Sequence, residues 1–133
     1  MKIVINNCFG GFSLSDEGFE MWLKLKKKKF YKYESSFSSD YYAVPKEKYE
    51  EQRDKWYRED RDYRRINAKN WYLSNRDIPR DDKHLVEVVK KLGEKANGGC
   101  AELKIVEIPD GVEWEIEEYD GLEHIAEKHK TWR

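Results

Sequence analysis

Hydrophobic residues recur along the chain with two periods, which predict short strands and amphipathic helices. The β-branched run from Lys2 to Asn6 is typical of a strand. The segment after it has helical spacing, with apolar positions at Phe19, Trp22 and Leu23. Ser13 or Ser15 can cap this helix, because a serine hydroxyl accepts a hydrogen bond from an N–H of the first turn. The chain therefore opens as a strand followed by a helix.

A second helix is predicted after Pro79, with Asp81 and Asp82 at its start. Its apolar residues recur at intervals of three and four: Leu85, Val88, Val89, Leu92 and Ala96. The sequence Asn97-Gly98-Gly99 predicts its end, since glycine adopts left-handed conformations without strain.

Strand periodicity returns in the last third of the chain. The run CAELKIVEI is followed by Pro109-Asp110-Gly111 and then by VEWEIEEY, in which apolar and acidic residues alternate. A turn sequence between two such runs predicts a hairpin. Asp120-Gly121 ends the second run. A short terminal helix is predicted from the apolar spacing beyond it: Leu122, Ile125, Ala126 and His129.

The middle of the chain, about 28–76, is the least regular part. FYKYESSFSSDYYAVP is consistent with a hairpin or an ordered loop, and residues 45 to about 66 are rich in helix formers and in opposite charges four apart. Tyr49, Trp56 and Tyr63 fall seven apart on that helix. Such a stripe indicates docking against the body of the domain, and ring stacking on a ligand is the alternative.

Together these elements predict an α+β fold. A small mixed sheet of at least three strands, packed with helices on one face, would bury the apolar stripes, with the irregular aromatic and charged insert attached. The 133 residues correspond to one domain, 1–133. Because a core of this size is modest, a homo-oligomer is an alternative to a monomer.

Charge and composition narrow the classes of function. Charged residues make up 40% of the chain and aromatic residues 14%, with a net charge of −1. Residues 24–76 hold 16 basic and 9 acidic side chains, whereas residues 77–133 hold 9 basic and 15 acidic ones. A basic middle beside an acidic end can attract a polyanion or can satisfy itself internally. The isoelectric point near 6.3 argues against a dedicated nucleic-acid binder.

Location is predicted from what the sequence lacks. No stretch approaches the roughly 20 apolar residues of a membrane span, so no membrane partner is predicted. The chain does not open with a basic stretch followed by an apolar core, so no secretory signal is visible. Cys8 and Cys100 are far apart in sequence and are interpreted as reduced thiols of a cytoplasmic protein.

The stretch NNCFGGFSLS is the first candidate site. Gly10 and Gly11 let the backbone approach a ligand closely, and Ser13 and Ser15 add hydroxyls at a helix start, an arrangement that suits a phosphate. Asn7 belongs to the same turn. The stretch matches neither GxxxxGK[ST] nor GxGxxG, and a purely structural turn is the alternative interpretation.

The stretch RDIPRDD is the second candidate. Arg76 and Arg80 can clamp a phosphate through bidentate hydrogen bonds, and Trp71 and Tyr72 can stack on a base. The same arginines can instead form internal ion pairs. A third, weaker signal is the run Lys26 to Lys29, which can contact nucleic acid or lie as a solvated helix end.

Support for catalysis is weak. The histidines form no shared helix face, and neither HExxH nor GxSxG occurs. Cys8 at a strand end is a nucleophile only if a base lies nearby. A non-enzymatic protein without metal or cofactor is therefore predicted.

Two parts of the chain resemble a family of small uncharacterised phage proteins. They are residues 1–15, with KIVINNCFGGFSLS, and residues 76–132, with RDIPRDD and ANGGCAELKIVEIPDGVEWEIEEYDG. The resemblance implies a phage product in the host cytoplasm. By analogy of class, it suggests an anti-defence sponge that sequesters a cyclic nucleotide or an ADP-ribose-derived messenger. The alternative is an interaction protein that binds a host protein through the insert 28–76.

Overall fold

The computed structural model describes residues 1–59 and 71–128, which form two compact units. Met1–Leu25 and the described residues from Asn75 onward form the terminal unit, and the described residues between Lys26 and Ser74 form the insert unit. In chain order the helices and strands are β1 (Lys2–Asn6), α1 (Asp16–Leu25), β2 (Tyr31–Glu34), β3 (Ser39–Tyr42), α2 (Lys46–Glu59), β4 (Tyr72–Leu73), α3 (Lys83–Leu92), β5 (Leu103–Glu107), β6 (Trp114–Tyr119) and β7 (Leu122–Glu127).

These elements confirm the α+β class. The described strands lie in three small antiparallel sheets rather than in one mixed sheet, with the orders β1-β5, β2-β3-β4 and β6-β7. Among the described residues, no helix has the length and apolar character that crossing a bilayer requires.

The core of the terminal unit lies where α1, α3 and β1 meet. Its fully buried side chains come from all three elements: Ile3, Val4, Phe19, Leu23, Leu85 and Val88. The helical spacing predicted that Phe19, Leu23, Leu85 and Val88 lie on apolar helix faces, and the structure buries all four. Each fully buried aliphatic or aromatic side chain contributes about 1.5–3 kcal/mol by leaving water, so this cluster dominates the stability of the unit.

Both predicted helix starts are confirmed. The Ser15 hydroxyl accepts a hydrogen bond from the Gly18 amide at 3.1 Å, so Ser15, rather than Ser13, caps α1. In α3 the Asp82 carboxylate accepts from the amides of His84 and Leu85. It also accepts from the Trp22 indole at 3.2 Å, which ties α1 to the start of α3.

The predicted end of α3 is wrong in position. The last residue of the α-helix is Leu92. Its C-cap is Gly93, which has a left-handed φ of 56°, and a 3-10 turn continues from Gly93 to Ala96. Gly98 is needed for another reason. Its amide donates to the Ser13 carbonyl at 3.0 Å, and an added Cβ would lie 2.7 Å from the Ser13 Cβ.

The predicted pairing of the last strands is also wrong. β5 pairs with β1, from Lys2 opposite Glu107 to Asn6 opposite Leu103, and β6 pairs with β7. The predicted terminal helix at Leu122 is therefore strand β7, although His129 lies outside the described residues. The physical reason is the turn Asp120-Gly121. Both residues have left-handed φ values, 47° and 86°, as a two-residue hairpin of the preferred twist requires.

The insert unit is more regular than the sequence suggested. β2 and β3 form the expected hairpin, β4 adds a third strand, and α2 covers the described part of the predicted helix. Tyr42 and Tyr49 form its buried cluster, and Trp71 packs against them. Tyr49 is thus buried, as the stripe predicted, but it packs within the insert unit rather than against the body of the domain. Tyr63 and the side chain of Trp56 lie outside the described residues. Burial, reinforced by the negative charge of Asp40, raises the pKa of Tyr42 to about 12.

Candidate ligand-binding cleft

The loop between β1 and α1 is fixed by one buried side chain. Asn6 has no solvent exposure. Its amide group donates to the carbonyls of Cys8 and Gly121, both at 2.7 Å, and its carbonyl oxygen accepts from the Glu102 amide at 2.9 Å. One asparagine therefore ties the loop, the β6–β7 turn and the segment before β5 together.

Gly10 and Gly11 allow two other segments to pass close to the loop. Their φ values are 112° and 97°, in the region that favours glycine. The Gly10 amide donates to the Asp120 carbonyl at 2.9 Å, and a Cβ on Gly10 would lie 2.7 Å from the Cys100 Cβ. The structural interpretation therefore accounts for both glycines: Gly10 by its φ and its close packing on Cys100, and Gly11 by its φ alone, since no atom lies within 4 Å of its Cβ position.

The same loop borders a cleft of about 450 Å³. This volume is within the usual range for small-molecule sites. Five predicted site residues line it together: Gly10, Gly11, Ser13, Arg76 and Arg80. Asn75 brings the arginine segment to the loop, because its side-chain amide exchanges two hydrogen bonds of 3.3 Å with the backbone of Leu14.

Three successive residues that line the cleft have backbone donors without acceptors. Among residues 1–59 and 71–128, the N–H groups of Gly11, Phe12 and Ser13 have no protein acceptor. The neighbouring amides are used internally, since Asn7 donates to Glu102, Leu14 to Asn75 and Ser15 to Ala96. Successive backbone amides without protein acceptors are the donors from which anion sites are built when they point to one place.

Arg80 is held rigidly in the wall of the cleft. Its guanidinium donates to both carboxylate oxygens of Glu123, at 3.0 and 3.5 Å, and to the Ile78 carbonyl at 3.2 Å. It also stacks on the Phe12 ring, 3.5 Å from the ring centre. The pair is largely buried, with side-chain exposures of 16% for Arg80 and 5% for Glu123. The ion-pair alternative is therefore confirmed for Arg80, although its partner is on β7 rather than in the RDIPRDD stretch.

The charges that line the cleft balance. Arg76 and Arg80 contribute two positive charges, and Glu118 and Glu123 contribute two negative ones. Glu123 is offset by Arg80, whereas Glu118 is exposed. A bare phosphate would gain little from such a balanced field. The lining suits a ligand that has an anionic part and also a hydrogen-bond-donating part.

Four of the predicted site residues are not placed on this cleft. Ser15 uses its hydroxyl on the Lys95 carbonyl and on the Gly18 amide. Asn7 is exposed, and its amide pairs with Glu102. Trp71 and Tyr72 belong to the insert unit, where Trp71 packs on the tyrosine cluster and the Tyr72 hydroxyl donates to Asp40 at 3.1 Å.

The acidic side of the cleft has no clear signal in the sequence. Glu118 belongs to a row of glutamates, and Glu123 lies in a segment that was predicted as a helix. Only the Asp-Gly hairpin signal, which places the residues on either side of a turn opposite each other, could have paired them. Phe12 follows the glycines directly, but no sequence motif predicts that Arg80 stacks on its ring.

The remaining candidates from the sequence are the basic run and the two cysteines, of which Cys100 lines the cleft. Lys26 to Lys29 lie in the insert unit, and their predicted contact with nucleic acid stays a prediction. Cys8 and Cys100 are both free thiols. Within the described ranges, no group of three or more histidine, cysteine, aspartate or glutamate side chains is arranged to hold a metal ion.

Comparison with protein-family profiles, with curated proteins and with solved structures yields no match.

Proposed function

We propose that this protein is a non-enzymatic binding protein that captures a small phosphate-bearing nucleotide in the cleft beside Gly10 and Gly11. The observation that carries the proposal is that one cleft of about 450 Å³ is lined by two arginines and by Gly11, Phe12 and Ser13, whose amides have no acceptor among the described residues. Phosphate oxygens need several donors at once, and backbone amides with a guanidinium are their usual partners in proteins.

The two arginines would have different roles. Arg80 is already fixed by Glu123 and Phe12, so it offers a preformed wall rather than a mobile charge. Arg76 is exposed and lines the same cleft, so its guanidinium is accessible to a ligand that enters from solvent. We assign Arg76 the main charge contact with the phosphate.

The wider role rests on the resemblance to phage proteins. Capture without turnover would suit an anti-defence sponge in a host cytoplasm, which removes a cyclic nucleotide or a cyclic ADP-ribose messenger from circulation. A homo-oligomer would be compatible with that role. The binding of a host protein through the insert 28–76 stays the alternative. On that insert, Phe37 lies at the tip of the β2–β3 hairpin with 99% exposure.

Calorimetry tests the capture proposal. The titrants are nucleoside monophosphates, cyclic dinucleotides, cyclic ADP-ribose isomers and inorganic phosphate. At least one nucleotide should bind, and Arg76→Gln should weaken it roughly ten- to 100-fold, as expected for the loss of a charge-assisted hydrogen bond of about 1.5–3 kcal/mol.

Lys83→Gln is the matched control. Lys83 is exposed at the start of α3 in the same unit and does not line the cleft, yet its replacement removes the same charge. We expect its affinity to stay within about twofold of the original chain, because exposed charges at a distance are screened by salt. If no nucleotide releases heat, or if both variants weaken binding equally, the cleft does not bind as proposed.

A further inference from the structure

A second cleft continues from the first along the same loop. It has a volume of about 510 Å³ and shares Gly10, Gly11 and Glu118 with its neighbour. Phe9 forms one of its walls, and the turn Asp120-Gly121 forms another. A ligand with its phosphate at Ser13 and Arg76 would therefore extend along the glycines toward Phe9.

Phe9 offers an aromatic face at this end. Its side chain is 58% exposed, although burial would be favourable for a ring of this size. Tyr119 packs edge-on against it, with ring centres 6.5 Å apart and an interplanar angle of 76°. This edge-to-face contact fixes the orientation of Phe9 and leaves a face of its ring for a flat ligand. Stacking of a nucleobase on such a face contributes about 1–3 kcal/mol.

Glu118 lies between the two ends. Its carboxylate borders both clefts, and among the described residues no cation or hydrogen-bond donor contacts it. An ionised carboxylate only accepts hydrogen bonds, and its two oxygens match a pair of adjacent N–H donors. The part of the ligand beside Phe9 should therefore present two neighbouring donors rather than an anion.

We propose that the second cleft binds a guanine base, so that the captured ligand is a guanine nucleotide. Guanine presents N1–H and an exocyclic N2 amino group side by side, and the two Glu118 oxygens can accept from both. Adenine and cytosine present one amino group next to a ring nitrogen that is itself an acceptor, and this nitrogen would repel the second carboxylate oxygen. The assignment rests on the proposed capture of a nucleotide in the first cleft.

The test compares GMP, IMP and AMP by calorimetry. IMP differs from GMP only by the missing N2 amino group. The original chain should bind GMP about tenfold more tightly than IMP or AMP, the ratio expected for one charge-assisted hydrogen bond. Glu118→Gln should remove most of this preference and leave the affinity for IMP within about threefold. Glu115→Gln, an exposed glutamate on the same strand, should keep the full preference.

Phe9→Ala gives a second readout. It should weaken all three nucleotides by roughly tenfold, as expected for lost base stacking, and leave the binding of pyrophosphate unchanged. Because Phe9 is exposed, the substitution leaves the core intact.

The outcomes separate the two proposals. Equal affinities for GMP, IMP and AMP, or a preference for GMP that survives Glu118→Gln, would overturn the guanine assignment and leave nucleotide capture standing. Binding of a different nucleotide from the wider panel without GMP would do the same. Absence of heat from every nucleotide would overturn both.

Discussion

Replacing Gly121 with alanine should lower the free energy of unfolding by about 3 kcal/mol or more, the largest effect that we expect from a single methyl group. An added Cβ would lie 2.6 Å from the Gly11 Cα and 2.8 Å from the Gly10 carbonyl carbon, and closer still to the Gly11 nitrogen. These are backbone atoms, so no side-chain rotation relieves the overlap. Gly121 also has a φ of 86°, which strains any residue with a Cβ.

Alanine substitutions at two other glycines distinguish the loss of stability caused by steric overlap from the loss caused by backbone strain. Gly111 has a similar φ of 82°, but no atom lies within 4 Å of its Cβ position, so Gly111→Ala reports the strain alone, about 1 kcal/mol. Gly99 has neither a left-handed φ nor a near neighbour, so Gly99→Ala should change stability by at most about 0.5 kcal/mol. Urea unfolding of the three variants measures the difference. Equal losses for Gly121→Ala and Gly111→Ala would contradict the close packing of the hairpin turn on the glycine loop.

The second large effect concerns the buried ion pair of Arg80 and Glu123. Arg80→Met should destabilise the protein by about 3–5 kcal/mol, because it leaves the buried Glu123 carboxylate without its cation. The Glu123 side chain is 5% exposed, and its other hydrogen bond among the described residues comes from the backbone N–H of Asn6 at 2.9 Å. The loss should appear as a lower midpoint in urea unfolding with an unchanged slope.

The double variant Arg80→Met with Glu123→Gln shows where the loss comes from. Glutamine keeps an acceptor for the Asn6 amide and removes the unpaired charge, so part of the stability should return. The double-mutant cycle should therefore give a coupling energy of at least about 1 kcal/mol. Additive losses would mean that Arg80 acts through its packing on Phe12 and not through its charge.

The parts of the fold that the sequence predicted are those governed by local chemistry. The apolar spacing around Leu85 and the caps at Ser15 and Asp82 depend on neighbours within a few residues, and the structure confirms them. Strand pairing was predicted wrongly because it depends on partners far apart in sequence. β5 finds its partner in β1, about a hundred residues earlier, and no local pattern encodes this choice.

The candidate site likewise contains residues that local sequence could identify and residues that depend on distant partners. Gly10, Gly11 and Arg76 could be singled out because their residue types suit phosphate, and they do line one cleft. Glu123 could not be predicted as the partner of Arg80 from the sequence. The two side chains meet because the Asp120-Gly121 turn folds β7 back along β6. Trp71 looked suitable from its proximity to Arg76 in sequence, but it belongs to the insert unit, where the tyrosine cluster covers it.

The central claim is that the amides of Gly11, Phe12 and Ser13 donate to the phosphate of a bound nucleotide. Amide proton chemical shifts, recorded for each residue while a nucleotide found by calorimetry is added, test this most directly. We predict downfield shifts of these three amide protons that saturate together with the binding heat, whereas the amides of Asn7, Leu14 and Ser15, which already have protein acceptors, move little. Saturable binding that leaves the Gly11–Ser13 amides unmoved would contradict the account.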